Sequence, residues 1–335
     1  MDMVSKQPKS SRVTIQQVAQ AAGVDRSTVS RVYNRPELLQ HETIEKVKSV
    51  AKRLGYSPNS AARALRTGRN ENIALVVPDL TNPFMPPVAL AVQKEASKQG
   101  YCVFIGNADE DPSQEEDLLS RFSDQVSGAV LASPRSDPSV IQAMARNIPL
   151  VLINRDIAGV PRVLIDSGQG MAKAVAHLAD LGHSGITYVS GPTLSWANEQ
   201  RKAAVSQAAE IYSLKFSVVD AGTASFLSGS QVVSKLLETD ASAYIAFDDV
   251  LAQGICHGLA ERDFVIPDDY SVIGCDDILG YSPLTTVSSQ AARAGRLAVE
   301  MLMASLKSHQ VSDVCKVLET DLVLRDTVGA PKINK

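Results

Sequence analysis

Between Ile73 and Gly274, short apolar runs recur along the chain, and the stretches that separate them have helical length. The runs are IALVV (73–77), YCVFIG (101–106), GAVLA (128–132), LVLIN (150–154), VLID (163–166), ITYVS (186–190), AYIAF (243–247) and SVIG (271–274). They lack the strict alternation of a strand with one wet face, so each is expected as a strand covered on both sides. Segments 86–99, 170–181, 198–211 and 249–262 are expected as helices. Buried strands alternating with helices leave one main architecture, a parallel sheet wound on both faces. Single cores stop growing at about 250–300 residues, so region 71–335 is expected to form two similar lobes. Open sheets of this kind bind ligands off the carboxyl ends of their strands, which singles out the loops after residues 77, 106, 132, 166, 190, 247 and 274.

The chain ahead of this region reads differently. In VTIQQVAQAAGVDRSTVSRVYN (13–34), Ile15, Val18, Ala19 and Ala22 fall on one face of a helix, with Thr14 as N-cap and a tight turn at Gly23. A second short helix turns Val29, Val32 and Tyr33 inward and Arg26, Ser27, Ser30, Arg31 and Asn34 outward. Arg forks onto guanine, Asn pairs with adenine and hydroxyls take phosphates, so this face suits a major groove. Ile44, Val47, Ala51 and Leu54 define a third helix that closes a small head over 13–55. YSPNSAARALRTGR (56–69) follows, with Ser57 as cap, Pro58 in the first turn, and Ala61, Ala62, Ala64 and Leu65 favouring helix. It is about two turns long, and isolated helices below ~12 residues are marginal in water. It is either a linker with Arg63, Arg66 and Arg69 solvated, or a hinge that folds only on meeting DNA and a twin.

Charge separates the same two regions. Residues 1–70 hold 13 of the 33 Lys and Arg but 5 of the 37 Asp and Glu, so a head of net +8 precedes a body of net −12. Phosphate attracts the one and is repelled by the other. MDMVSKQPKSSR has no apolar h-region and no run approaches the ~20 apolar residues of a membrane span, so the expectation is a cytoplasmic chain without a membrane partner. Cys102, Cys256, Cys275 and Cys315 form no CxxC pair and are expected as reduced thiols in or near the core. The 5 histidines show no metal-ligand spacing, and neither a metal nor a cofactor is expected.

The motifs TIQQVAQAAGV, STVSRVYN, LGYSPNSAARALRTGR, IALVVPDLTNPF, HLADLGHSGITYVSGP, FDDVLAQG and VIPDDYSVIGCDD with PLTTV, in this order, resemble those of the LacI/GalR (lactose/galactose repressor) family of bacterial transcriptional regulators over nearly the whole chain. The resemblance implies a small all-α helix-turn-helix head plus an α/β core of two doubly wound parallel-sheet lobes, like a periplasmic binding protein. It divides the chain into a flexible tail (1–12), a DNA-binding head (13–55), a hinge helix and linker (56–70) and an effector-binding and dimerisation core (71–335). It implies a homodimer or tetramer whose paired heads read a near-palindromic operator, and a small-molecule effector between the lobes that orders or releases the hinges. By motif position it assigns base reading to Arg26, Ser27 and Arg31, and backbone or base contact to Thr28, Ser30 and Asn34. Thr14, Tyr56, Asn59 and Arg66 are further DNA contacts, and Leu65, beside Ala62, is the wedge between central base pairs. Asp25 and Gln40 each stand where the family usually has Ser; Asp25 remains able to cap its helix.

In the core the resemblance places Arg201 and Asp276 at the effector-binding arginine and aspartate, a pairing that suits hydroxyl groups or, equally, a structural ion pair. Asn82 and Phe84 follow the first core strand, where the family contacts effector. Trp196, the only tryptophan, offers a flat face for a sugar ring or simple packing. Asp166 and Asp248 end strands on the ligand side, and Asp248 replaces a more usual Asn, which favours a polyol or sugar over an anion. Paired carboxylates, Asp248 with Asp249 and Asp276 with Asp277, raise glycoside hydrolysis as a rival, but neighbours on one strand end point in different directions. Other rivals are a sugar-binding protein without DNA function and a global regulator controlled by a protein corepressor. After Leu324 no apolar heptad is visible, so a dimer is expected rather than a tetramer.

Overall fold

The structure is a computed structural model that describes residues 13–57, 70–278, 283–308 and 313–332. It divides into two compact units, Met1–Asn70 and Glu71–Lys335. The hinge expectations for Asn59, Ala62, Leu65 and Arg66 lie outside the described residues.

The first unit is built from α1 (Ile15–Ala22), α2 (Arg26–Asn34), a 3-10 turn (Pro36–Leu38) and α3 (His41–Leu54). Thr14 and Gln17 form a reciprocal capping box at the start of α1, and Gly23 ends it at φ 64°, a left-handed conformation that favours glycine. Val18, Ala19, Ala22, Val29, Val32, Val47, Val50 and Ala51 form the buried core of this unit. Two expectations need correction. Leu54 is 36% exposed while Val50 is buried. Leu54 lies in the last turn of α3, one turn beyond Val50 and Ala51, the last residues of that helix in the buried core. Asp25 stands at the N-cap of α2, but its carboxylate makes no capping bond. Gln40 at the start of α3 makes none either.

The second unit contains two sheets. The N-terminal lobe comprises β1 (Asn72–Val77), β2 (Cys102–Asn107), β3 (Ala129–Ala132), β4 (Leu150–Ile153), β5 (Arg162–Asp166) and β11 (Cys315–Glu319), in the order β11-β5-β4-β3-β1-β2. The C-terminal lobe comprises β6 (Gly185–Ser190), β7 (Lys215–Asp220), β8 (Ala243–Ala246), β9 (Ser271–Cys275), β10 (Thr285–Val287) and β12 (Leu322–Val323), in the order β12-β10-β9-β8-β6-β7. Among the described residues all pairings are parallel except β10 with β12. Helices α4 (Met85–Lys98), α5 (Pro112–Phe122), α6 (Pro138–Asn147) and α11 (Ala291–Ser308) belong to the first lobe. Helices α7 (Ser167–Asp180), α8 (Trp196–Ile211), α9 (Phe226–Leu236) and α10 (Asp249–Ala260) belong to the second.

The chain passes between the lobes after β5, between β10 and α11, and between β11 and β12. These crossings are tied together. The Thr320 hydroxyl donates to the Asp166 carbonyl at 2.7 Å, Ser288 N–H to the Asp321 carbonyl at 2.8 Å, and Asp321 N–H to the Ser288 hydroxyl at 2.9 Å. Short crossing segments of this kind are where lobe closure is absorbed.

The expectation that all four cysteines lie in or near the core also needs correction, because Cys102 and Cys315 are exposed. Each is the first residue of a strand, and the two strands are the opposite edges of the first lobe's sheet among the described residues.

Candidate functional site

In the head, Arg26, Ser27, Arg31 and Asn34 are exposed on α2, whereas Thr28 and Ser30 are half-buried. The buried pair Val29 and Val32 fixes which face α2 keeps inside, and the one-turn offset sends the polar side chains outward. Asn34 donates from Nδ2 to the Ser30 carbonyl at 2.5 Å and to the Ser30 hydroxyl at 3.2 Å, so its amide starts from a bonded position on its own helix. Thr14 caps α1 and is exposed. Tyr56 packs its ring against Tyr33 with centroids 6.1 Å apart, which ties the end of α3 to α2. Burial raises both phenols above their ordinary value.

In the core, a cleft lies off the strand ends of the two lobes. Its wall includes Asp79, Asn82, Phe84, Glu110, Ser133, Arg135 and Asn154 from the first lobe, and Ser195, Arg201, Phe247 and Asp276 from the second. Four of the seven residues expected at an effector, Asn82, Phe84, Arg201 and Asp276, are therefore brought together. The Arg201 guanidinium donates through Nη2 to Asp276 Oδ1 at 2.7 Å, through Nη1 to the Phe247 carbonyl at 2.5 Å and through Nε to the Ser167 hydroxyl at 3.1 Å. It also lies 4.9 Å from the centre of the Phe247 ring. Burial works against its charge, but the Asp276 carboxylate beside it carries the guanidinium above its ordinary value. Gly191 lets the Phe247 ring approach, since a Cβ there would meet the ring at 2.4 Å.

The other three are not on the wall. Asp166 caps α7 among the lobe crossings, where its carboxylate accepts from Gln169 N–H at 3.4 Å. Trp196 is the first residue of α8 and packs its half-buried side chain on the core of the second lobe; its neighbours Ser195 and Ala197 face the cleft in its place. Asp248 is 2% exposed and is consumed as the N-cap of α10, accepting from Leu251 N–H at 2.9 Å. Its second oxygen accepts from Asn82 Nδ2 at 3.1 Å, a bond from one lobe to the other. Burial raises Asp248 to about 6. Asp248 therefore does not add an acid to the wall, and the argument from it toward a sugar falls away. Asp249 points another way, to the Thr286 hydroxyl and Ile278 N–H.

Asp79, Glu110, Ser133, Arg135, Asn154 and Phe247 were not singled out by the sequence. A backbone feature marks several of them. Among the described residues, six of the eight non-glycine residues with positive φ stand just past β2, β3, β4 or β9: Asp109, Glu110, Ser133, Asn154, Asp276 and Asp277. Such conformations cost ~1–3 kcal/mol each and collect at functional sites.

A helix-turn-helix unit and a two-lobed α/β core with a polar cleft at its strand ends together define a class, the DNA-binding transcriptional regulators with a core like that of periplasmic binding proteins. Residues 14–59 match the family "Bacterial regulatory proteins, lacI family", and residues 175–328 match the "Periplasmic binding protein-like domain". The HTH-type transcriptional regulator DegA of Bacillus subtilis (strain 168) is 31% identical over 332 residues, covering 95% of this chain and 98% of DegA. The chain belongs to the lacI family of bacterial regulatory proteins. Its fold is similar to that of a chain in the crystal structure of the lac repressor dimer bound to operator and the anti-inducer ONPF, with a TM-score of 0.84 at 24% identity over 96% of this chain and 100% of that one. A lacI-family transcriptional regulator from Enterococcus faecium with bound ribose aligns at a TM-score of 0.70 and 25% identity, covering 78% of this chain and 100% of that one. Among the described residues no helix is long and apolar enough to cross a membrane.

Proposed function

We propose that this regulator is a repressor that binds a near-palindromic operator as a homodimer, and that a neutral, hydroxyl-rich small molecule in the cleft changes its affinity for that operator. The observation that carries the effector class is the pairing of both arginines of the wall, Arg201 with Asp276 and Arg135 with Glu110, with Asp79 as a further carboxylate. Each pair presents donors beside acceptors with no net charge, which matches a hydroxyl that both gives and takes a hydrogen bond. The ribose held by the Enterococcus faecium regulator belongs to the same chemical class. In this reading Arg26, Ser27 and Arg31 read bases, Thr28, Ser30 and Asn34 touch backbone or base, and Thr14 and Tyr56 are further DNA contacts. A thermal-shift screen of sugars, polyols, nucleosides and purines, followed by the DNA-binding response to each hit, tests the effector. Silence toward every small molecule, with a response to a protein partner, would favour the corepressor alternative.

The head makes a sharper prediction. Selection from genomic fragments should return near-palindromes, with affinity falling steeply as salt displaces phosphate contacts. Arg31 is exposed on the outer face of α2. Arg31→Ala should relax specificity at one position in each half-site, at a cost of ~1–3 kcal/mol. Binding profiles over single-base operator variants decide this, and a loss uniform across all sequences would contradict base reading by Arg31.

A further inference from the structure

The N-terminal lobe meets the cleft with a forked ion pair of its own. Arg135 is 4% exposed at its side chain, and its Nε and Nη2 donate to the two oxygens of Glu110 at 2.5 and 2.9 Å. Its Nη1 donates to the Ser133 carbonyl at 2.7 Å. A guanidinium has five N–H groups, so two remain beyond these three bonds. The segment is rigid beneath the pair. The buried Glu115 carboxylate accepts from Arg135 N–H at 2.6 Å, from Ser136 N–H at 2.9 Å and from the Ser136 hydroxyl at 2.6 Å. On the two sides of this contact, Asp109 and Glu110 adopt φ of 49° and 60°, and Ser133 sits at 47°. Two successive non-glycine residues in this region carry strain that the sheet does not require.

We infer that Glu110 is a specificity determinant of the effector site, a built-in counter-anion on Arg135 that admits neutral hydroxyl groups and excludes a phosphate or carboxylate from the N-lobe end of the cleft. This rests on the proposed binding of a small molecule in that cleft. A hydroxyl donates to Glu110 and accepts from a remaining N–H of Arg135. An anion brought to the same guanidinium meets the carboxylate already there, and like charges that close in a partly desolvated site repel strongly. Without the Glu110 charge, Arg135 becomes an open guanidinium of the kind that grips phosphate.

The test uses the full chain and matched pairs: D-ribose with D-ribose 5-phosphate, D-glucose with D-glucose 6-phosphate, and D-fructose with D-fructose 6-phosphate, titrated by calorimetry. Wild type should prefer the neutral member of any pair it binds, and Glu110→Gln should shift the affinity ratio toward the phosphate by about tenfold or more. Asp111→Asn is the charge control. Asp111 caps α5 on the surface through Ser113 N–H and is not on the wall, so its substitution should leave the ratio unchanged. If Glu110→Gln fails to fold, the double variant Glu110→Gln/Arg135→Gln decides, with a ratio moving toward unity supporting the inference. An unmoved ratio in either folded variant, an equal shift in Asp111→Asn, or a wild type that prefers phosphates overturns it. Wild type that binds none of the sugars or phosphates, while still binding operator, removes the effector reading itself, a result distinct from binding with an unaltered ratio.

Discussion

Arg201→Ala is expected to abolish the effector response while the head keeps its affinity for operator. The guanidinium is 3% exposed and organises one wall of the cleft through Asp276, the Phe247 carbonyl and the Ser167 hydroxyl. Ser167 begins α7 just after a lobe crossing, so the same side chain links cleft and hinge. Truncating it leaves Asp276 buried without its partner, and breaking a buried pair costs ~3–5 kcal/mol. The core transition should therefore fall in temperature, and effector affinity should drop by about 100-fold or more, because each buried polar group left unpaired costs ~1–3 kcal/mol. The head has a core of its own around Val18, Val29 and Val47, which the substitution does not touch. Arg201→Lys separates fold from recognition: the charge opposite Asp276 is kept, but the fork onto Asp276 and Phe247 is lost. Calorimetric titration with an effector found by the screen, alongside operator binding, reads both variants. Normal effector affinity in folded Arg201→Ala or Arg201→Lys would refute the assignment of the cleft. Where effector and operator are coupled, each must change the other's affinity by the same factor in wild type, and that coupling should be lost with Arg201.

The central strands were legible because burial on both faces writes a continuous apolar run, as in IALVV and AYIAF. Of the edge strands β2 was read from YCVFIG, but β7, β11 and β12 were not, and neither was the three-residue interior strand β10. β7 mixes exposed and half-buried positions, β11 buries only Leu318, and β12 has two residues, so none leaves such a run. Most loops of the site followed from the strand-end rule, and Asp79, Glu110, Ser133 and Arg135 lie in loops it singled out, whereas the loop after β4 that carries Asn154 was not among them. Which side chain of a loop turns to the cleft did not follow, because backbone details decide it. Asp248 reads as a wall acid until α10 is seen to begin beneath it and take its oxygen for Leu251 N–H. Trp196 reads as a sugar platform until α8 begins at it and turns its ring onto the lobe core. Glu110 reaches the cleft through two left-handed residues in sequence, which no side-chain pattern announces.

The burial of Asp249 should make the core lose stability as pH rises, opposite to the usual carboxylate. Gly274 lets Asp249 press against β9, since a Cβ there would meet Asp249 Oδ1 at 2.2 Å. This burial raises Asp249 to about 7, against the lowering effect of bonds from Thr286 and Ile278. An unfolded Asp titrates near ~3.9. The folded form thus binds the proton more tightly, so the contribution of Asp249 is full below ~4 and is lost as pH rises through about 7. At ~1.4 kcal/mol per unit, about three units set a ceiling of ~4 kcal/mol on that loss. Asp249→Asn removes the titration and can keep both bonds, with Oδ1 accepting from Ile278 N–H and Nδ2 donating to the Thr286 hydroxyl, whose proton turns to the Val287 carbonyl at 3.4 Å. Near pH 4 the variant should match wild type within ~1 kcal/mol, at pH 5 it should be ahead by about 1–2 kcal/mol, and by pH 8 by about 2–4 kcal/mol. His183 works in the opposite direction. Burial lowers it below its ordinary value, so its contribution is lost as pH falls through that range, but it is present in both proteins and cancels in their difference. Urea unfolding of the core at pH 4, 5, 6, 7 and 8 measures the difference directly, and parallel curves for wild type and Asp249→Asn would show that Asp249 carries no buried charge to release.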